Sequence, residues 1–176
     1  MARIRGGRVL VGVLALGLAA CGASEDRLNL GKAEIEIRQL AERVYGAEAT
    51  VDNVRCPSSV PIQKDLSFIC TVDIDGVPLR VSLLQTNEKG NVKFDQEQAV
   101  IFTQKLEDFV TSYAAEHGTP AGEVSCGTEN VMTRAPGKEL TCTVAFADGQ
   151  PGVATLVVND TSGKVGLTRL EPKPKG

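Results

Sequence analysis

The stretch Phe68-Ile69-Cys70-Thr71-Val72-Asp73-Ile74-Asp75-Gly76 decides the fold, because it predicts a strand and the turn that ends it. From Phe68 to Ile74 every second residue is apolar or cysteine, while Thr71 and Asp73 fall between them. This period of two is typical of a strand with one buried and one wet face. Asp75-Gly76 suits a hairpin turn, because both residue types tolerate a positive φ angle. We therefore expect an antiparallel sheet.

The same pattern recurs about 70 residues later. Landmarks follow in the same order at offsets of 70, 72, 73 and 73, which small loop insertions would produce. The matched segments are Val54-Arg55-Cys56 with Val124-Ser125-Cys126, Phe68–Val72 with Leu140–Val144, Asp75-Gly76 with Asp148-Gly149, and Lys89-Gly90 with Ser162-Gly163. We predict a tandem repeat of two small domains, one at residues 31–96 and one at 99–171.

Each unit is predicted to begin with an amphipathic helix. Apolar residues at i, i+4, i+7, i+8 and i+11 form one stripe on a helix, and Gly46 and Gly118 follow as helix-ending glycines. The stripes are Ala33, Ile37, Leu40, Ala41 and Val44, matched at an offset of 69 by Phe102, Leu106, Phe109, Val110 and Tyr113. The predicted class is α+β, with each unit one helix packed on a three- to four-stranded antiparallel sheet with one intradomain disulfide.

Four cysteines fall inside the two units: Cys56, Cys70, Cys126 and Cys142. Four cysteines allow three pairings. The repeat selects Cys56–Cys70 and Cys126–Cys142, because in each unit one cysteine ends the strand beside the strand that carries the other. A metal or redox site is the competing interpretation, but no pair has Cys-x-x-Cys spacing and the chain has one histidine. We expect structural disulfides and neither a metal nor a cofactor.

The N-terminus has the layout of a secretory signal peptide at residues 1–20. Three arginines precede the apolar stretch 9–20, which is too short to span a bilayer as a helix. Cys21 follows Leu18-Ala19-Ala20, an order that resembles the lipobox of bacterial lipoproteins. This resemblance implies that acyl chains on Cys21 hold the mature chain on the extracytoplasmic face of the cell membrane. The alternative is an ordinary secreted protein with a cysteine near the cleavage point.

The predicted mature chain is acidic, with 16 Lys and Arg against 22 Asp and Glu once the three signal arginines are removed. This balance argues against a nucleic acid partner and against electrostatic adhesion to anionic lipid. Residues 21–30 are expected to form a short acylated tether. Residues 172–176 have two prolines and no apolar side chain, so we expect a disordered tail.

The order of these motifs resembles a known family. A helix, Val54-Arg55-Cys56-Pro57, Phe68–Val72, Asp-Gly and a closing Gly turn are similar to the actinobacterial domain of unknown function 4333, found largely in exported proteins and lipoproteins. The second unit resembles a diverged copy: Gly127 replaces the proline, and Gly137 stands where the first unit has Lys64-Asp65. The resemblance implies an exported actinobacterial lipoprotein with two copies of this domain. It implies no activity.

No catalytic set is recognisable in the sequence. His117 falls at a predicted helix end, where an exposed position favours the helix dipole, and no phosphate loop or zinc spacing occurs. The helix carboxylates lie off the apolar stripes, so we expect them on a solvated face: Glu34, Glu36, Glu42, Glu107, Asp108 and Glu116. We predict a non-catalytic envelope lipoprotein that binds an unknown protein, with Ile69 and Leu84 as candidate contacts. A lipid or small-molecule carrier is the alternative.

Overall fold

The computed structural model describes residues 26–172, in which one order of elements occurs twice. The first half contains α1 (Leu30–Tyr45), β1 (Val51–Arg55), β2 (Ser67–Ile74), β3 (Val77–Gln85) and β4 (Val92–Gln96). The second half contains β5 (Ala99–Phe102), α2 (Thr103–Glu116), β6 (Ala121–Ser125), β7 (Val131–Arg134), β8 (Glu139–Phe146), β9 (Pro151–Val158) and β10 (Val165–Pro172). The predicted signal peptide, Cys21 and residues 173–176 lie outside this range.

Each half has an antiparallel sheet of four strands, so the α+β class and the fourth strand are confirmed. The strand order is β1-β2-β3-β4 in the first half and β6-β8-β9-β10 in the second. In both sheets a hairpin joins the two long central strands, and the helix packs chiefly against the first strand, α1 against β1 and α2 against β6. Neither helix is long and apolar enough to cross a bilayer, a finding that covers the described residues alone.

The two helices correspond at an offset of 73, so the predicted offset of 69 is wrong by one helical turn. They begin 73 positions apart, at Leu30 and Thr103. The same offset relates their buried apolar residues, which are Ala33, Ile37 and Ala41 in α1 and Leu106, Val110 and Ala114 in α2. The error arises because residues i and i+4 share one face of a helix, so a shift of four preserves the apolar pattern.

Part of each predicted stripe is not covered by a sheet. Leu40 is 43% exposed and Val44 is 59% exposed, because α1 lies over β1 and β2 and leaves its side toward β4 open. In the second half Phe109 is 36% exposed. Phe102 ends β5 and precedes α2 instead of lying within the helix. The predicted packing of the whole stripe on the sheet is therefore wrong at these positions.

A two-stranded ribbon formed by β5 and β7 connects the cores of the two halves. The ribbon is absent from the sequence prediction. Its side chains alternate between the two cores, as the period of a strand requires. Val100, Phe102 and Val131 join the core of the first half, whereas Ala99, Ile101 and Met132 join that of the second. Both faces of the ribbon are therefore packed.

The first half contains a shorter counterpart of this ribbon. Arg27 forms an isolated antiparallel bridge with Pro61. The Leu28 amide donates to the Val60 carbonyl at 2.9 Å, and the Ile62 amide donates to the Asp26 carbonyl at 2.8 Å. Of the predicted tether at residues 21–30, residues 26–29 thus contact the first half directly, and Leu30 begins α1 instead of ending the tether.

The two central hairpins differ in their turns. Asp75 and Gly76 have φ angles of 48° and 78°, which confirms the predicted two-residue turn. In the second hairpin Gly149 has a φ of 81°, its amide donates to the Phe146 carbonyl, and the Phe146 amide donates to the Gln150 carbonyl. Asp148-Gly149 thus lies in the turn of the second hairpin as predicted, but this loop is longer than the two-residue turn of the first hairpin.

Candidate interaction surfaces

Both predicted disulfides are present, and a helix glutamate contacts each one. Cys56 is bonded to Cys70 and Cys126 to Cys142. Glu34 Oε1 accepts a hydrogen bond from the Cys56 amide at 3.1 Å, and Glu107 Oε1 accepts one from the Cys126 amide at 2.9 Å. The predicted solvated position is therefore wrong for these two carboxylates. The spacing of residues in the sequence showed that both glutamates lie off the apolar stripe. It did not show that the ends of β1 and β6 lie next to them.

The disulfides belong to the cores of the halves. Cys70 and Cys142 are fully buried, each within the cluster that the helix covers. This burial agrees with a structural role. Cys21, the predicted lipidation site, lies before the first described residue, so its acylation stays a prediction.

His117 is exposed at the end of α2, as predicted. Its Nδ1 atom lies 2.8 Å from the Tyr113 carbonyl oxygen, and its ring stacks on the Tyr113 ring with centroids 3.9 Å apart. These contacts tie the imidazole to its own helix. Among residues 26–172, no group of three His, Cys, Asp or Glu side chains is placed to hold a metal ion.

Two buried polar side chains of the first half have structural explanations. Asp73, predicted to face water, is buried, and Arg55 Nη2 donates to its two carboxylate oxygens at 2.9 and 2.8 Å. Gln85 Nε2 donates to the Pro61 carbonyl at 2.9 Å, and its Oε1 accepts from the Gln63 amide at 3.1 Å. In the part of the chain that the structure describes, no buried side-chain nitrogen or oxygen is without a hydrogen-bond partner.

An apolar cleft lies between α1 and the uncovered strands of the first sheet, and we call it the α1 cleft. Its volume is about 240 Å³. Tyr45 and Gln96 lie at one end, where the Tyr45 hydroxyl donates to Gln96 Oε1 at 3.0 Å. Burial raises the pKa of Tyr45, and this hydrogen bond opposes the rise. The cleft is lined by Ile37, Leu40, Ala41, Val44, Tyr45, Val72, Leu79, Val81 and Gln96.

In the second half an aromatic ring occupies the position that matches Leu79 of the α1 cleft. Leu79 of the first sheet corresponds to Gly152 of the second, 73 positions later. Phe146 lies over this glycine, so close that a Cβ atom there would contact its ring. The α1 cleft is thus a feature of the first half.

The apolar surface continues from the α1 cleft to the junction of the halves. Val44 and Tyr45 also line a recess of about 470 Å³, whose other side includes Phe102 and Phe109. At its rim Lys105 Nζ lies 2.6 Å from Glu48 Oε2. We call the α1 cleft together with exposed Leu40, Val44 and Phe109 the α1 surface.

A further recess, the distal recess, lies at the far end of the second half. It has a volume of about 340 Å³. The end of α2, the β8–β9 loop and the end of β10 form its walls. Its lining residues are Gly118, Thr119, Pro120, Phe146, Ala147, Asp148, Gln150, Leu170 and Pro172.

A protein-family sequence model with the description Domain of unknown function (DUF4333) matches residues 11–90. These residues contain one copy of the DUF4333 domain. Within the described structure the match takes in α1, β1, β2 and β3 and ends just before β4. The DUF4333 domain therefore contributes most of the α1 cleft and the Cys56–Cys70 disulfide. No curated protein and no solved structure matches the chain.

Proposed function

We propose that the protein is a membrane-anchored, non-catalytic lipoprotein of the cell envelope that binds another protein through the α1 surface. The observation that carries the proposal is the exposure of Leu40 and Val44 at the α1 cleft and of Phe109 at the adjoining recess, which Val44 also lines. Single exposed apolar residues are normal, whereas connected apolar patches mark interaction sites. Ile69 and Leu84 are also exposed, on β2 and β3, and are secondary contacts in this proposal.

The shape of the α1 cleft favours a protein segment as its ligand. Small-molecule sites usually measure about 300–1,000 Å³ and carry several polar groups that orient the ligand. The α1 cleft is smaller, and its hydroxyl and amide, on Tyr45 and Gln96, already bond to each other. Leu40 and Val44 stand one turn apart on α1, the spacing at which a helix presents apolar anchors to a partner.

One observation favours a second candidate, a carrier of lipid or of another small apolar molecule. The lining of the α1 cleft is almost entirely aliphatic. Such a lining suits one acyl chain, since each buried methylene contributes about 0.8 kcal/mol. The polar end at Tyr45 and Gln96 would then face the head of the ligand.

Attachment to the membrane is part of the proposal. The lipobox order before Cys21 supports acylation, and disulfides suit an exported protein. Five chain steps separate Cys21 from Asp26, which span at most about 18 Å when extended. We therefore place the start of the first half close to the membrane surface.

We further propose that the second half is a diverged second copy of the DUF4333 domain in an exported actinobacterial protein. The recurrence of helix, sheet order, disulfide and cysteine-binding glutamate supports this origin. The Phe146 ring over Gly152 and the Gly127 substitution are the main departures.

Site-specific photocrosslinking in intact cells tests the proposed function. A photoreactive residue at Val44 is compared with one at Ile35, which is on the same helix and equally exposed at 59%. Ile35 lines neither the α1 cleft nor the adjoining recess of about 470 Å³. We expect a defined protein adduct from position 44 and none from position 35. Lipid adducts at position 44 would favour the carrier, and equal adducts from both positions would refute a specific α1 surface.

A further inference from the structure

The contact between the two halves joins unlike ends. The trailing end of a half is formed by the end of its helix, the turn of its central hairpin and the end of its last strand. The leading end is formed by its ribbon, the start of its helix and the turn before its last strand. In this molecule the trailing end of the first half binds the leading end of the second.

Three polar contacts mark this junction. Asn130 Nδ2 donates to Asp75 Oδ2 at 2.6 Å, Lys105 pairs with Glu48, and Gln96 Nε2 donates to the Thr161 carbonyl at 3.1 Å. Between them the apolar face of the β5–β7 ribbon joins the first core: Val100, Phe102 and Val131, packed in a cluster that includes Tyr45 and Ala49. The junction is thus an apolar ribbon face framed by polar pairs.

The distal recess is the trailing end of the second half. Asp148 corresponds to Asp75 in the central hairpin. Leu170 corresponds to Gln96, because Leu170 pairs with Ala154 and Gln96 pairs with Val81, the residue equivalent to Ala154. The other equivalences are Gly118 for Tyr45 and Phe146 for Ile74. Residues of the first half that contact the leading end of the second half therefore have counterparts that line an open recess.

We propose that the distal recess binds the apolar face of a β-ribbon belonging to another protein, as the first half binds the β5–β7 ribbon. Phe146, Leu170 and Pro120 offer the apolar contact, and exposed Asp148 offers an acceptor to an amide or basic donor, as Asp75 does to Asn130. The distal recess is separate from the α1 surface, so the proposal for one surface can fail without the proposal for the other.

A second copy of this chain does not suit the recess. The positions equivalent to Val100, Phe102 and Val131 at the first leading end are Arg27, Asn29 and Ser59. Arg27 donates from its guanidinium to Ser59 Oγ. Burying these groups against Phe146 and Leu170 would remove a charge from water without an apolar gain. The partner is therefore a different protein with an apolar ribbon.

The test uses the full mature chain and a cyclised peptide that joins residues 99–102 to residues 131–134 as a hairpin. Binding is followed by NMR chemical shifts of the labelled chain. A control peptide carries arginine, asparagine and serine in place of Val100, Phe102 and Val131. We expect saturable shifts at Phe146 and Leu170 with the apolar peptide and at least about tenfold weaker binding of the control.

The variant Ala147→Arg places a bulky charge at the exposed rim of the recess, away from the core. We expect it to weaken binding of the apolar peptide by at least about tenfold while the far-UV circular dichroism stays unchanged. Equal binding of both peptides, shifts confined to other surfaces, or no saturable shifts would overturn the proposal. A full-chain dimer that Ala147→Arg dissociates would overturn it too, because the occupant would then be a second copy.

Discussion

Asn130 and Asp75 lie on opposite sides of the junction, and the Nδ2 atom of Asn130 is 2.6 Å from Oδ2 of Asp75. The other carboxylate oxygen of Asp75 accepts a hydrogen bond from the Thr50 amide at 2.7 Å. These two hydrogen bonds hold the pKa of Asp75 below its usual value, and the bond from the Thr50 amide has the larger effect. One aspartate thus connects its own turn to the next half of the chain.

This relationship predicts an acid-sensitive contribution to stability. Because the pKa of Asp75 is lower in the folded chain, its stabilisation is fully present above the unfolded pKa of about 3.9 and is lost as pH falls through the folded pKa. We expect Asp75→Asn to lower the free energy of unfolding more at pH 6 than at pH 3, measured by urea denaturation. Asp95→Asn, at an exposed position on β4, is the control. An equal loss at both pH values would contradict the prediction.

Removal of the helix glutamates should weaken both halves. We expect Glu34→Ala and Glu107→Ala each to lower the free energy of unfolding by about 1–2 kcal/mol, because each leaves the amide of Cys56 or Cys126 without its carboxylate acceptor. Urea denaturation of the oxidised protein gives the measurement. Glu42→Ala, at an exposed position of α1, should change it little. A loss as large in this control would show that the contacts to the cysteines are not the cause.

Asp65 and Gly137 provide a matched pair of backbone predictions. Asp65 precedes β2 and Gly137 precedes β8, and their φ angles are positive, at 64° and 78°. The Asp65 amide donates to the Gln85 carbonyl, and the Gly137 amide donates to the Val158 carbonyl. Glycine adopts this conformation without the steric cost of a Cβ atom. We expect Asp65→Gly to raise the free energy of unfolding by about 0.5 kcal/mol and Gly137→Ala to lower it by about 1 kcal/mol.

Thermal unfolding at neutral pH measures both changes. A Cβ atom at Gly137 would meet no other atom within 4 Å, so any loss there reports backbone strain and not a clash. Opposite signs for the two substitutions support the interpretation, and stabilisation by both would refute it.

Each disulfide should act on its own half. Non-reducing peptide mapping of oxidised protein is expected to give Cys56–Cys70 and Cys126–Cys142 and no bond between the halves. Replacing Cys56 and Cys70 together by serine should cost about 3 kcal/mol in the chain-entropy description of loop closure. The double replacement of Cys126 and Cys142 should cost a similar amount. A bond across the halves would contradict the arrangement.

The strands, the first hairpin turn and the disulfides could be predicted because their signals are local. Alternation in Phe68–Ile74 and the placement of the cysteines define them directly. The register of α2 could not be obtained in this way, since a shift of four residues keeps the same helix face. The ribbon could not be predicted because β5 and β7 have only four residues each. They are also separated in the sequence by α2 and β6, so no local signal links them.

The exposure of the α1 surface also lay beyond sequence reasoning. An apolar stripe shows which side of a helix prefers burial, but not how far the sheet beneath extends. Leu40 and Val44 fit the stripe, yet α1 lies over β1 and β2 and leaves them uncovered. The contacts of Glu34 and Glu107 likewise depend on where a strand end lies in space.

The shared ribbon also determines how the protein loses its structure. Val100 and Val131 follow the first half in the chain, yet they are buried in its core. The first half therefore lacks a complete core alone, and its melting would uncover the ribbon face that carries Val100, Phe102 and Val131. We expect one cooperative transition in calorimetry, with equal calorimetric and van't Hoff enthalpies. A chain truncated after Gln96 would keep every strand of its sheet and still fold poorly, because its core also needs Val100 and Val131, which lie beyond the repeated segment of sequence.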